Sequence, residues 1–158
     1  MVHLQINDAL SSEENSLLED ASLLERAVRQ TLQHTGAAPE AEISLVVTDD
    51  EQLQALNRQF LDVDAPTDVL SFPAGEETDP DTESPYLGDI LISYPRALAQ
   101  AAAGGHPVRE ELQLLTVHGT LHLLGYDHAE EAEKAEMWAV QAAILAELGC
   151  SITLPPSS

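Results

Sequence analysis

Three histidines within eleven positions are the side chains of this sequence best placed to do chemistry. They are His118, His122 and His128, in the run V-H-G-T-L-H-L-L-G-Y-D-H at residues 117–128. Positions i and i+4 of a helix lie on one face, about 5–6 Å apart at Cβ, so the first two imidazoles can share a metal ion. Gly125 can adopt the left-handed conformation that ends a helix, which would let the chain return His128 as a third ligand. Three protein ligands leave one coordination position open, as in catalytic zinc sites.

The spacing is similar to the long zinc signature H-E-x-x-H-x-x-G-x-x-H, with one difference. Gly119 stands where the protease pattern has its glutamate base, and no acid lies between His118 and His122. The alternative is three unrelated histidines on an amphipathic helix. The clustering of half of the six histidines favours the metal site, and we predict one Zn²⁺ per chain. Zinc on three neutral imidazoles lowers the pKa of its bound water from about 15.7 to about 7.

The histidine run also resembles H-G-x-L-H-L-x-G-Y-D-H, the signature of the YbeY endoribonuclease family, also called the rRNA maturation factor family. Two further blocks agree, P-T-D-V-L-S-F-P at residues 66–73 and G-D-I-L-I-S at residues 88–93. The resemblance spans residues 4–148 and implies a zincin-like fold. It implies a zinc-dependent, single-strand-specific endoribonuclease that acts in 16S rRNA 3′-end maturation and in ribosome quality control. The implied partners are single-stranded rRNA and small-subunit ribosomal proteins, without a membrane or DNA.

One family position departs from the pattern. In the block L-N-x-x-[YF]-R, the arginine that the family is regarded as needing for activity is replaced by Leu61. Arg58 lies about one helical turn earlier on nearly the same face, so we predict that it supplies the catalytic guanidinium. The planar donors of arginine fit phosphate oxygens.

The other candidate site residues are polar side chains near these blocks. Asp127 adjoins His128. Its carboxylate either orients a ligand imidazole without itself binding the metal, or Asp127 is only a turn residue. The resemblance suggests that residues 66–73 border the substrate groove, while a purely structural role in strand entry is the alternative. The predicted substrate contacts are Asn57, Thr67, Asp68, Ser71 and Ser93.

The charge of the chain argues against RNA. Its 28 acidic and 6 basic residues give a formal net charge of −22. RNA binding usually draws on clustered Lys and Arg, and a strongly acidic chain repels phosphate at long range. Five acids in residues 75–85 would also discourage RNA if that segment overhung the groove. Divalent ions or a basic partner would offset this repulsion.

Two other functions therefore stay open. The first is a metal-dependent hydrolase of another substrate, most plausibly a peptidase, although peptide hydrolysis needs a base that also protonates the leaving amine. The second is a zinc-stabilised ribosome assembly factor without nuclease activity, which the charge favours because ribosomal proteins are basic. For the nuclease, the residues do not decide between attack by water and attack by the ribose 2′-hydroxyl.

Hydrophobic periodicity predicts nine elements in the order β–α–β–α–β–β–α–α–α. The predicted fold class is α+β, with a mixed four-stranded sheet packed by about five helices. The predicted strands are residues 2–6, 42–48, 69–72 and 86–93, and the helices are 12–33, 50–60, 96–103, 108–124 and 130–148. We predict one metal-dependent hydrolase domain over residues 1–150 and a frayed tail over 151–158. No apolar run reaches the ~20 residues that span a bilayer, and the N-terminus lacks a signal-peptide pattern, so a cytoplasmic location is expected.

Overall fold

The protein was analysed as a computed structural model, which describes residues 2–6, 14–37, 41–64, 67–73, 86–126 and 130–150. Within these ranges the chain forms four strands and five helices. The strands are β1 Val2–Ile6, β2 Glu42–Thr48, β3 Val69–Pro73 and β4 Tyr86–Ser93. The helices are α1 Glu14–Thr35, α2 Asp50–Leu61, α3 Tyr94–Gly104, α4 Val108–Leu123 and α5 Glu131–Glu147.

The described strands form one mixed sheet in the order β1-β2-β4-β3. The first three strands of that order run parallel, and β3 pairs antiparallel with β4. The predicted α+β class, with its mixed sheet and five helices, is confirmed for the described ranges. The zincin-like assignment and the single domain over residues 1–150 stay predictions, and the tail at 151–158 lies outside the described residues.

The sheet separates two apolar layers because side chains alternate between its faces. One face carries Ile43, Leu45, Ile90 and Ile92, which pack with apolar residues of α1 and α4. On the other face, Leu53 of α2 covers apolar side chains of β3 and β4. Every residue of α4 from 111 to 121 is buried, so this helix is fixed by the core on all sides.

Local capping chemistry sets the helix limits near the site. Asp49 accepts a hydrogen bond from the backbone N of Gln52 at 2.8 Å and begins α2. After α4, Gly125 has φ +100°, and the backbone N–H of Tyr126 donates to the carbonyl of Leu121 at 3.0 Å. Gly125 thus has the left-handed conformation predicted to end this helix, whereas the predicted return of His128 lies outside the described residues. The helix ends at Leu123, one residue before the predicted end.

In the described part of the chain, each helix is too short or too polar to cross a lipid bilayer.

Candidate metal centre and substrate pocket

The imidazoles of His118 and His122 meet through their Nε2 atoms, which lie 3.1 Å apart. The ring centroids are 4.6 Å apart and the ring planes are nearly perpendicular, at 81°. Two zinc–nitrogen bonds of about 2.0–2.1 Å in tetrahedral geometry place the two nitrogens about 3.3 Å apart. The spacing and the approach of the two rings therefore fit a shared ion. The pairing expected from positions i and i+4 is present.

A hydrogen bond from α5 sets which nitrogen of His118 carries the proton. The Nδ1 atom of His118 lies 3.0 Å from Oε1 of Gln141, and both residues are almost fully buried. Because an amide oxygen only accepts, Nδ1 is the donor. In the neutral ring the lone pair then lies on Nε2, which faces His122. A ring in this tautomer is ready to bind a cation at Nε2.

A second side chain of α5 contacts the same ring. The indole of Trp138 lies 5.5 Å from the His118 ring, measured between centroids, and is tilted by 56°. Trp138 is the single tryptophan of the chain. The ring of His118 is thus held by two residues of one helix, three positions apart.

The predicted third ligand, His128, and the predicted orienting carboxylate, Asp127, both lie outside the described residues. Among the residues that are described, no group of three or more His, Cys, Asp or Glu side chains is close enough to hold a metal ion. The described part of the predicted metal centre is therefore the His118–His122 pair, two of its three expected ligands.

Gly119 lies where α4 packs most tightly on the sheet. A Cβ added at this position would lie 2.7 Å from Cγ2 of Ile90 and 3.2 Å from Oγ of Ser71. The Ser71 hydroxyl also donates a hydrogen bond to the Gly119 carbonyl at 3.0 Å. A glutamate at position 119 would require the Ile90 side chain or the strand that carries it to move, so the absence of the protease base has a steric reason.

A pocket of about 350 Å³ opens over the paired histidines. Its wall is formed by α2, by the edge strand β3 and by the segment before β3, with the histidines of α4 at one side. It brings together five of the predicted site residues, Asn57, Thr67, Ser71, His118 and His122. The remaining lining residues are Leu61, Val69, Leu70 and Pro73.

Three other predicted site residues lie away from this pocket. Arg58 is exposed on α2 and is absent from the lining, whereas Leu61 is present. The structure therefore does not bring the predicted catalytic arginine to the place of the family arginine, because residues 57 and 61, not 58, share the pocket-facing side of α2.

Asp68 and Ser93 are fully buried in a second polar region. The Ser93 hydroxyl accepts from the backbone N of Arg96 at 3.3 Å and donates to Asp50, so it caps α3. A carboxylate oxygen of Asp68 accepts from Nε2 of Gln100 at 3.2 Å. Neither residue is among the described lining of the pocket, and both support α3. Their predicted role in substrate binding stays a prediction.

Some of the charged groups outside the pocket pair with one another. Arg96 forms two hydrogen bonds with Asp50, at 3.0 Å each, which hold the pKa of that carboxyl below its ordinary value. At the start of α4, burial raises the pKa of Glu111, and the ring of His106 at 2.7 Å partly opposes that rise. No Asp, Glu, Lys or Arg is among the described pocket-lining residues.

Sequence reasoning missed Gln141, Trp138 and Leu61 as residues of the site. Gln141 and Trp138 carry no local signal, because their contact with His118 depends on how α5 docks on α4. Leu61 did have a signal: it occupies the motif position of the family arginine, and that position proves to face the pocket.

An α+β fold with two helix-borne histidines beside a pocket is an arrangement typical of hydrolases. The family is shown by comparison with known proteins. The family model described as "Endoribonuclease YbeY" matches residues 5–149, and the chain belongs to this family. This confirms the resemblance seen in the histidine run.

Individual relatives agree with the family match. The Endoribonuclease YbeY of Roseiflexus castenholzii is 49% identical over 136 residues, covering 84% of this chain and 86% of that protein. The Endoribonuclease YbeY of Desulfitobacterium hafniense is 44% identical over 156 residues, covering 94% of this chain and 98% of that protein. The solution structure of TM1509 from Thermotoga maritima is similar, with a TM-score of 0.57, 26% identity and coverage of 94% and 89% of the two chains.

Proposed function

We propose that the protein is a metal-dependent endoribonuclease that cuts single-stranded RNA during rRNA maturation and ribosome quality control. The observation that carries the proposal is the convergence of the His118 and His122 Nε2 atoms, 3.1 Å apart, beside a pocket of about 350 Å³. Family membership supplies the reaction class, cleavage of an RNA phosphodiester bond. The cytoplasmic location and the ribosomal partners are part of this proposal.

One Zn²⁺ would be held by His118, His122 and His128, and when bound it would supply Lewis-acid chemistry at the scissile phosphate. The chain's own residues would bind this ion and orient the imidazoles that hold it. His118 is buried and offers its Nε2 lone pair, because its Nδ1 proton is engaged by Gln141. Buried placement on a helix fixed by the core keeps the two nitrogens at bonding separation.

Polar groups of β3 and of the segment before it supply contacts for the RNA strand. The hydroxyls of Thr67 and Ser71 and the amide of Asn57 line the pocket, and none of them is ionised. Neutral side chains can contact phosphate or ribose groups without adding to the negative charge of the chain. The Ser71 hydroxyl, which donates its proton to Gly119, would accept from a ribose hydroxyl. Because β3 is the edge strand of the described sheet, an extended single strand can lie along it.

Apolar side chains are exposed at the end of α2 and just after it, on either side of the pocket-lining Leu61 in the sequence. Phe60, Leu61 and Val63 are 60%, 54% and 48% exposed, and the Phe60 ring contacts Phe72 edge-on at 5.5 Å. Stacking of a base on an aromatic side chain contributes about 1–3 kcal/mol and needs no counter-charge. An exposed aromatic side chain suits RNA whose bases are unpaired, since a duplex keeps its bases stacked inside. Base stacking would also let a chain of net charge −22 bind RNA without depending on basic residues.

A peptidase is disfavoured by the Gly119 contact. The side chains of Ile90 and Ser71 crowd this position against a glutamate, and peptide hydrolysis needs a base that protonates the leaving amine. A ribosome assembly factor without nuclease activity is favoured by one observation, the acidic surface, which would attract basic ribosomal proteins. This docking role is compatible with cleavage.

The test is cleavage of one labelled RNA presented single-stranded and as a duplex, with casein as a peptidase substrate. Reactions are run after chelation and again after Zn²⁺ is restored. We expect cutting of the single strand alone, with loss by at least 100-fold in His122→Ala. His34→Ala is the matched control, because His34 is an exposed histidine of α1 that contacts Glu147. Undiminished cutting by His122→Ala would refute the proposal, and casein cleavage would favour the peptidase.

A further inference from the structure

We propose that Gln141 is a positioning residue for the metal centre: its Oε1 holds the His118 ring in the Nδ1-protonated tautomer, with Nε2 directed at His122. The inference rests on the proposed function in that it requires a metal ion. It adds a residue of α5 to a site that the histidine run alone would place on α4 and the chain after it.

The geometry allows Gln141 little freedom to do otherwise. It is 3% exposed, and its Oε1 lies 3.0 Å from Nδ1 of His118, which is 1% exposed. A buried ring N–H without an acceptor loses its hydrogen bond to water and gains nothing in return. The proton therefore stays on Nδ1 as long as the acceptor is present.

Trp138 contacts the same imidazole, one turn before Gln141 on α5. Together the two side chains restrict the ring: Gln141 fixes its nitrogen assignment, and the indole restricts its tilt. Ligand histidines are commonly held by a carboxylate, a backbone carbonyl or water, and loss of such a partner typically lowers metal affinity by 10–100-fold. Here the acceptor is a neutral amide, which adds no further charge to a chain of net charge −22.

Two substitutions at position 141 distinguish the effect of the hydrogen-bond acceptor from the effect of side-chain volume. Gln141→Met keeps the length and shape of the side chain but cannot accept a hydrogen bond well. Gln141→Glu keeps an acceptor oxygen at nearly the same place and cannot donate when ionised. If the acceptor is what matters, Glu restores what Met removes.

A second buried glutamine serves as the matched control. Gln113 lies on α4, is 4% exposed, and accepts a hydrogen bond from Sγ of Cys150 at 3.2 Å. Gln113→Met therefore removes a buried amide of the same kind without touching His118. A general loss of stability would appear in both Met variants, whereas a loss of positioning would appear only at 141.

The experiment is a competition titration of the purified full chain with Zn²⁺ alone as the probe, against a chromophoric chelator. Thermal unfolding of the metal-free proteins is measured beside it. We expect zinc affinity to fall 10–100-fold in Gln141→Met, to stay within about threefold of wild type in Gln141→Glu, and to be unchanged in Gln113→Met. Co²⁺ absorption spectra provide a second readout, with a changed ligand-field band expected in Gln141→Met alone.

The outcomes distinguish this inference from the proposed function. Wild-type protein that binds no Zn²⁺ would overturn the metal centre and this inference with it. Wild-type binding matched by Gln141→Met would overturn the positioning role alone. Equal weakening in Gln141→Met and Gln141→Glu would also overturn it, because an acceptor would then not be the property that matters. Should Gln141→Met fail to fold, Gln141→Leu takes its place, because it also removes the acceptor, and the Glu variant remains the rescue.

Discussion

Gly119 faces Ile90 so closely that a Cβ at position 119 would lie 2.7 Å from the Ile90 Cγ2 atom. This contact sets the distance between α4 and the sheet at the level of the paired histidines. Since the Ile90 methyl is branched directly from Cβ, it cannot swing aside as the end of a long side chain could.

The first prediction concerns that contact. Gly119→Ala should destabilise the protein by about 1–3 kcal/mol through overpacking, more than the ~1 kcal/mol that alanine gains over glycine in a helix. In an Ile90→Ala background the same substitution should become neutral or stabilising, because the opposing methyl is gone. Chemical denaturation of the four proteins measures this coupling. Additive effects would show that the close approach does not limit residue 119.

The second prediction restores the family arginine. Leu61 lines the pocket and is 54% exposed, so Leu61→Arg places a guanidinium at the substrate without burying it. Affinity for single-stranded RNA should rise severalfold, and the salt dependence of binding should steepen by about one ion. Leu98→Arg, at a 37% exposed position of α3, makes the same charge change elsewhere. An equal gain in both variants would attribute the effect to net charge instead of location.

The third prediction concerns Arg58. Because this residue is exposed and does not line the pocket, Arg58→Ala should leave the cleavage rate within about twofold of wild type. A loss above tenfold would restore the original assignment of Arg58 as the catalytic arginine. Single-turnover cleavage is the appropriate measurement, since it separates the chemical step from product release.

The fourth prediction uses the single tryptophan. Trp138 lies 5.5 Å from the His118 ring, so an ion bound at that ring should alter its emission. Co²⁺ should quench the fluorescence of wild type and of His34→Ala at the stoichiometry of one ion per chain. In His122→Ala the quenching should require at least tenfold more metal. Quenching that is equal in all three proteins would place the ion elsewhere.

The fifth prediction is a pH dependence of stability. Burial raises the pKa of Glu111 above its ordinary value of 4.5, so between 4.5 and the raised pKa the folded state binds more protons than the unfolded state. Stability should therefore fall as pH rises through that window. Glu111→Gln keeps an acceptor for His106 and removes the ionisation, so its Tm should equal that of wild type below pH 4.5 and exceed it at neutral pH. Glu51→Gln, at an exposed acid of α2, is the control. A Tm difference between Glu111→Gln and wild type that stayed the same at every pH would contradict this role of Glu111.

Much of the fold was predictable because local patterns agree with the final packing. The bounds of β2 and β4 match the prediction residue for residue, since their β-branched and apolar runs are enclosed by turn formers. The His118–His122 pair was predictable because helical geometry alone brings positions i and i+4 together.

The rest depended on contacts between distant segments. Helical geometry alone would allow either Arg58 or Leu61 to face the pocket. Only the way α2 docks on the sheet determines that Leu61 does so. Asp68 and Ser93 are polar residues within the blocks that resemble the family, and the structure shows them buried, where Ser93 caps α3 and Asp68 supports it. Gln141 could not be found from the sequence, because its partner is 23 positions away on another helix.

The hydrogen bond between Gln141 and His118 also implies an order in which the site is completed during synthesis of the chain. During translation His118 and His122 emerge before α5, so a nascent chain carries both imidazoles without the amide that orients one of them. On the proposed function, full affinity for the metal, and with it full cutting activity, is reached only after α5 has emerged and docked. That delay would protect the ribosome, itself built of RNA, from the polypeptide it is still making.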